Sequence, residues 1–587
     1  MPTSPHAHAA SLRPRLAVPS STAFAPSSWR RLCSALVLGL SVAGAQAQST
    51  TDAGQLLQNQ NKKPPPLPAR GDGKDLASQT PTMAVPSGTT IVVKRFVFSG
   101  NTLLDDATLR RALGAYIDRP LDFRELQEAA AVVGKRYSAA GRLARSFLPP
   151  QEIVDGVVKL QIVEASFGGV QVERSASHVS KEQATAMLEN GQKAGEAVDL
   201  VALERALLLV GDLPGVKASA SLVPGSAAGQ TAVALSLEDK PTLSGDVNVD
   251  NAGTRSTGET RVNASLQLNG ALGYAEAISA QLSHNQGSDF GRAAVNVPLG
   301  AQGLRLGVNG SALRYRLVGS EFAALNARGR STSGGLDLTY PVLRTRNANL
   351  LMQLAADSRK FNNRANGSTI SDYSVQAASL NATGNLFDDL GGGGSNSGFV
   401  SLQSGKLDLD GSPSQPGDAL GPRTDGHFSK VRYQFSRVQS LGDIFSASVS
   451  FSGQWASRNL DSSEKFYLGG PQGVRAYPVS EGGSSIGQLL NFDLMMQLGD
   501  GWRASAFGDL GHGQTYVDSA FQTGGPPNTF YLKGYGLSLG YNSPTGLYLS
   551  ASWARRVGDN PLANALGRDQ DGSLHRNRFW LQAGLPY

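Results

Sequence analysis

At 587 residues the chain is long enough for several domains, and it is low in charge (17%) and aromatics (7%) but carries 69 glycines. Its net charge is +6, four units of which come from Arg13, Arg15, Arg30 and Arg31 in an acid-free leader, so the balance of +2 excludes an electrostatic case for nucleic acid. The seven histidines show no metal-ligand spacing, and no catalytic, cofactor-binding or metal residue is assigned.

Residues 1–47 read as a secretory signal peptide. Arg30-Arg31 edge the positive region, Leu32 to Ala45 form the apolar region, and Ala45-Gln46-Ala47 is an A-x-A cleavage site. Cys33 is the single cysteine and lies inside that leader, so the mature chain is expected to be exported without a disulfide. No later run reaches the roughly 18 apolar residues of a transmembrane helix, which leaves a soluble exported protein or an outer-membrane barrel. Glycine divides unevenly, 19 in 1–240 and 50 in 241–587, so the chain changes character near Pro241.

Residues 48–63 are predicted as one helix, with Asp52 as N-cap and Gln55 three residues on. Leu56 and Leu57 are its only large apolar residues. Such a helix is either frayed and exposed or lodged in a polar cavity. Residues 64–90 open with Pro64, Pro65, Pro66 and Pro68 and read as an extended linker.

Residues 91–164 and 165–240 each read β-α-α-β-β. In the first, a strand at Ile91–Phe98 precedes a helix at Asp106–Leu113, then a helix opened by Asp122 with Glu125, a strand near Leu143–Leu148, an Asp155-Gly156 turn and a strand at Val157–Val163. In the second, Gly169–Val172 is a short strand, Ser180 and Asp199 cap two helices, and strands end at Val223 and Leu237. A unit of this order and size, placed twice before a glycine-rich β tract, resembles the POTRA (polypeptide-transport-associated) domain. The resemblance implies binding of extended clients by strand addition at a sheet edge.

Residues 241–587 alternate with period two. Val262, Ala264, Leu266 and Leu268 share one face of Arg261–Asn269, and Asn263, Ser265 and Gln267 the other. The pattern suits a sandwich with its polar side in water or a membrane barrel with its apolar side in lipid. The final residues favour the barrel: Phe579, Leu581, Ala583, Leu585 and Tyr587 share a face and end on an aromatic, like a C-terminal outer-membrane assembly signal. The tract suits about 16 antiparallel strands, with loops expected at Asp388–Gly398 and Asp408–Asp425.

One stretch, Phe466–Gly483, is loop-like in its glycines and prolines yet too apolar for water, and Arg475 within it has no adjacent acid. It reads as a loop tucked inside a container. On the strand that follows, Arg503, Ser505, Phe507, Asp509 and Gly511 share a face, so Asp509 points into the lumen and wants a cation. Val474-Arg475-Ala476-Tyr477 resembles the V-R-G-[YF] tetrad, and Phe507-x-Asp509-x-Gly511 the F-x-D-x-G motif, of two-partner secretion transporters (TpsB; filamentous-haemagglutinin/haemolysin type) of the POTRA-barrel superfamily. That resemblance implies periplasmic POTRA modules, a sixteen-stranded barrel in the bacterial outer membrane, a sixth extracellular loop folded into the lumen, and an N-terminal helix plugging the pore. It also implies the partners: a secreted adhesin- or haemolysin-like exoprotein, the outer-membrane assembly machinery and the lipid bilayer. Ala476 departs from the family glycine and would be strained if that position required positive φ.

The function implied is export of an unfolded exoprotein, with no enzyme activity. An assembly insertase of the same superfamily is the second reading. A third, a serine esterase, rests on Gly483-Ser484-Ser485-Ile486-Gly487, a formal G-x-S-x-G that needs a strand–turn–helix context.

Overall fold

The structure, a computed structural model, describes residues 51–60, 90–319 and 322–587. The signal-peptide and proline-linker expectations, and the last turn predicted for the N-terminal helix, fall outside those residues.

Two small sheet-and-helix modules come first. In one, Val157–Glu164 is the central strand, parallel to Arg95–Ser99 and antiparallel to Ala144–Phe147. Helices Asp106–Ala112 and Phe123–Ala139 cover it, burying Phe96, Leu126, Val133, Tyr137 and Leu160. The long helix starts at Asp122 because its carboxylate accepts from Glu125 N (2.7 Å) while Glu125 accepts from Asp122 N (2.9 Å). In the other, Gln230–Asp239 is central between Ser166–Arg174 and Val216–Pro224, under helices Lys181–Gly191 and Leu200–Gly211. The first of these strands is longer than its sequence suggests. Gly168 and Gly169 sit at a register shift in it, with Gly169 at φ 98°, so the apolar alternation is interrupted while the pairing continues.

Glu164, at the end of the first module, ties that module together. Its carboxylate accepts from Thr102 N and Leu103 N and from the Tyr137 hydroxyl, each at 2.7 Å. Burial pushes this carboxyl up, but the Thr102 hydroxyl, the Leu103 N–H and the Tyr137 hydroxyl outweigh it and hold the group below the ordinary glutamate range. A depressed folded value means the stabilisation is complete above the unfolded pKa of about 4.3 and is lost as pH falls through the folded one. Glu164→Gln should therefore speed hydrogen exchange at the Thr102 and Leu103 amides at pH 7 and flatten its acid dependence. Exchange in the variant that matches the parent at both pH 7 and pH 4, after correction for intrinsic rates, would refute the assignment.

The rest of the chain is a closed antiparallel barrel of sixteen strands, running from Leu243–Asp250 to Asn577–Pro586. First and last strands pair directly, Gln582 opposite Asp250 through Pro586 opposite Asp246. Tyr587 exchanges two 3.1 Å backbone bonds with Gly245 beyond the proline. Closure removes the sheet edge, which is what lipid demands of a spanning sheet. It also resolves the ambiguity of the alternation. Val262, Leu402 and Phe451 lie exposed on the outside, whereas Asn263 Nδ2 bonds Asn248 Oδ1 (2.9 Å) within the lumen. The apolar face belongs to lipid.

The expected loop at Asp388–Gly398 is too long. Asp388 already pairs with Gly394, and the strand Gly394–Asp408 contains the remainder. Gly391, Gly392 and Gly393 all adopt positive φ, so the glycine run makes a tight turn instead of a long excursion. The Asp408–Asp425 loop does separate its strands, and it holds a short helix, Gln415–Leu420.

The second module is clamped to the barrel. Asp212, just after the helix Leu200–Gly211, takes Arg344 in a two-pronged pair (2.7 and 2.9 Å), and its carbonyl accepts from Arg305 (2.6 Å). Arg205 donates to Pro341 O (2.8 Å). These bonds set the strand Val216–Pro224 at the mouth of the lumen cavity, where Lys217, Ser219 and Ser221 form part of its wall.

Candidate functional site: the helix and loop inside the pore

Two separate segments fill the pore. The helix Ala53–Gln60 is the first, and of the two placements left open for it the structure has the lodged one. Asp52 caps it by accepting from Gln55 N (2.8 Å). Its few apolar residues suffice because the barrel wall supplies the rest: Ala53, Leu56 and Leu57 share a cluster with Leu313, Phe361 and Tyr373. Its polar side is matched by Asn363 on Ala53 N (3.1 Å), Ser462 on Asp52 (3.0 Å) and Ser480 on Asn59 (2.7 Å).

The second segment is the sixth outer loop, residues 457–485. Its neck is a two-residue ladder, Phe466–Tyr467 on Gly483–Ser484. Beyond the neck, Leu468, Val474, Ala476 and Tyr477 are fully buried against Leu489, Phe507, Phe530 and Leu532 of the wall. The container inferred from the loop's apolar content is thus the barrel lumen.

The structure brings Arg475 and Asp509 together, on the strand Trp502–Gln514. Asp509 accepts from the Arg475 backbone N–H (2.9 Å), from Nε (3.0 Å) and from Nη2 (2.8 Å). A second carboxylate, which the sequence reading missed, lies one strand away: Asp493 on Ile486–Gly499 takes Nη1 at 2.8 Å and Nη2 at 3.2 Å. Asn491 beside it donates to Asp509 (2.7 Å), which stands directly opposite in the ladder. Asn491 and Asp493 lie on one face of their strand at spacing two, and that polar alternation was the available signal. Phe507, the first residue of the strand motif, lies with its ring 3.5 Å from the guanidinium carbon. Gly511, the last, leaves room for Val474, since a Cβ there would come within 2.9 Å of Val474 Cγ2.

Ala476 is not strained. Among the described residues the positive-φ position in this loop outside glycine is Ser480, at φ 70°. The methyl of Ala476 sits over Gly534, whose missing side chain makes the space.

Two further ionic clusters hold the loop, and neither was read from sequence. Glu464, buried, pairs with Lys430 (2.5 Å) and Arg359 (2.6 Å). At the other end Glu481 accepts from Asn560 (2.7 Å) and Gln570 N (3.0 Å), while Arg556 lies over the Tyr477 ring at 4.4 Å and pairs with Asp569 (2.5 Å). Each brings together separate strands and loops, with Arg359 105 residues before Glu464 and Asn560 79 after Glu481, so no local pattern announces it.

Phe579, Leu581 and Tyr587 of the C-terminal pattern are exposed on the outer wall. Ser485 is buried, donates to Thr515 O (2.9 Å), accepts from Leu460 N (3.1 Å) and enters a strand, Ile486–Gly499, where an esterase elbow would enter a helix.

An apolar-walled sixteen-stranded barrel with two POTRA modules before it, and a pore occupied by a helix and an inward loop, defines an outer-membrane protein transporter of the two-partner secretion class. The profile of the haemolysin secretion/activation proteins ShlB/FhaC/HecB matches residues 229–541, and that of the ShlB-type POTRA domain matches 91–165. The chain belongs to the ShlB/FhaC/HecB family of haemolysin secretion/activation proteins. It is 24% identical to the heme/hemopexin transporter protein HuxB of Haemophilus influenzae over 483 residues, 81% of this chain and 83% of that protein. Among solved structures it resembles CdiB from Escherichia coli, with a TM-score of 0.65 at 18% identity over 88% of this chain and 94% of that one. It also resembles BamA from Haemophilus ducreyi lacking POTRA domains 1–3, with a TM-score of 0.52 at 14% identity, covering 85% and 100%. The barrel lies in the bacterial outer membrane and the POTRA modules in the periplasm.

Proposed function

We propose that the chain is a passive, non-enzymatic export channel whose pore is closed at rest by the helix Ala53–Gln60 and the loop 466–483, and that a single unfolded exoprotein displaces them as it passes. The observation that carries this reading is the grip on the loop. Beside its apolar contact with the wall, it is held by ion pairs and hydrogen bonds at the edge of the lumen cavity, while its neck stays continuous with the wall. A cavity of 2630 Å³ lies beneath it, bordered by polar side chains such as Asn248, Asn263, Ser265 and Gln281 and reaching the loop tip at Pro471 and Gln472. Apolar positions such as Phe290 and Leu351 are interspersed among these, and the polar side chains would let an extended chain exchange hydrogen bonds as it passes. The client would pair with an edge of a POTRA sheet and thread from there, and the barrel itself would be inserted by the outer-membrane assembly machinery reading Phe579, Leu581 and Tyr587.

The reading is tested with the full chain in liposomes and an unfolded exoprotein that carries a secretion domain. The unfolded exoprotein should become protected from external protease only in vesicles that contain the channel. Equal protection in empty vesicles would overturn it.

A further inference from the structure

Arg475 is gripped by the barrel through side chain and backbone, and two of those contacts, Asp493 and Trp580, lie outside both motifs. Its N–H and guanidinium go to Asp493 and Asp509. Its carbonyl accepts from the indole Nε1–H of Trp580, at 2.8 Å. Trp580 stands on the last strand, separated from the carboxylate-bearing strands by Thr529–Asn542 and Tyr548–Arg556. Its chain neighbours Phe579 and Leu581 are exposed to the outside, while Trp580 borders the lumen cavity together with Pro471 and Gln472. A tryptophan turned away from lipid, with its one polar atom committed, is placed for that hydrogen bond.

The same stretch of the last strand is held from the other side by a single residue. The regular ladder with the first strand begins at Gln582. Above that, Asn251 carries the contact: its side chain accepts from Leu581 N (2.8 Å) and donates to Phe579 O (2.8 Å), and its backbone N–H donates to Leu581 O (3.2 Å). Trp580 therefore joins the loop to the closing strand just where the regular ladder gives way to Asn251.

We propose that Trp580 is a positioning residue for Arg475: its indole N–H fixes the Arg475 carbonyl, and with it the direction from which the guanidinium reaches Asp493 and Asp509. Docking of the loop then depends on the last strand being in place. This rests on the reading of the loop as a movable occupant of the pore.

The test uses the full chain in outer-membrane vesicles with a cysteine at Val474→Cys, a fully buried loop position, labelled by a water-soluble maleimide, and a reference cysteine at Ser331→Cys, a buried wall position opposite Leu313 and Phe361 beside the N-terminal helix. Trp580→Phe keeps a ring and removes the donor. Labelling at 474 should rise about fivefold, the factor for one neutral hydrogen bond, with labelling at 331 and the barrel unfolding temperature unchanged. In an Arg475→Ala background the same substitution should add nothing. Three results would overturn the proposal: an unchanged rate at 474, an equal rise at 331, or an undiminished increment without Arg475. Raised labelling with unaltered export would keep the anchor and defeat the gating reading, so the two failures are separable.

Discussion

Arg475→Ala should raise the resting conductance of the pore and impair export while leaving a folded barrel in the membrane. The substitution leaves Asp493 and Asp509 facing one another across adjacent strands with no cation between them, and Asp509 is almost fully buried. Stranding a buried partner costs about 3–5 kcal/mol, less where lumen water reaches the site. That is enough to shift the loop from docked to undocked, but the ladder of the sixteen strands does not pass through Arg475. Arg475→Lys should be intermediate, because an ammonium is a single point of charge and cannot span two carboxylates as the guanidinium fork does. The measurements are exoprotein in the medium, heat-modifiability of the barrel, and conductance in planar bilayers. Wild-type export together with unaltered conductance in Arg475→Ala would reduce the loop to packing.

Gly534→Ala should loosen the docked loop, and Ala476→Gly should relieve the defect. A Cβ on Gly534 would lie 2.6 Å from the Ala476 methyl, between two backbones with no flexible side chain to move aside. Overpacking of this kind costs about 1–3 kcal/mol. Ala476→Gly alone should be mild, since the position does not need positive φ and loses only one buried methyl. The double variant exchanges the two residues across one contact and should recover most of the loss in unfolding temperature and export. An additive defect in the double variant would show that the two sites do not meet. The departure from the family glycine at 476 is thus a matter of complementarity with Gly534 rather than of backbone strain.

Much of this molecule is visible in its sequence because its elements are locally encoded. The capping pair Asp122 and Glu125, the two β-α-α-β-β units and the period-two tract follow from neighbours a few residues apart. The misread segments have local causes as well. Gly391–Gly393 signalled a loop but form a tight turn, since consecutive glycines reverse a chain in few residues. Asp493 escaped notice because a carboxylate in a polar alternation has no partner until strand register sets it diagonal to Asp509.

What the sequence determined by itself is the type of most elements and the need of the apolar loop for a container and of Arg475 for an acid. Tertiary structure decided which face of the alternation meets lipid, that the N-terminal helix sits in the lumen, and that Arg475 answers to two carboxylates and an indole. Periodicity and capping act over one or two turns of chain, whereas the site is assembled from residues 475, 493, 509 and 580, which meet only through strand register, the curvature of the wall and the inward fold of the loop.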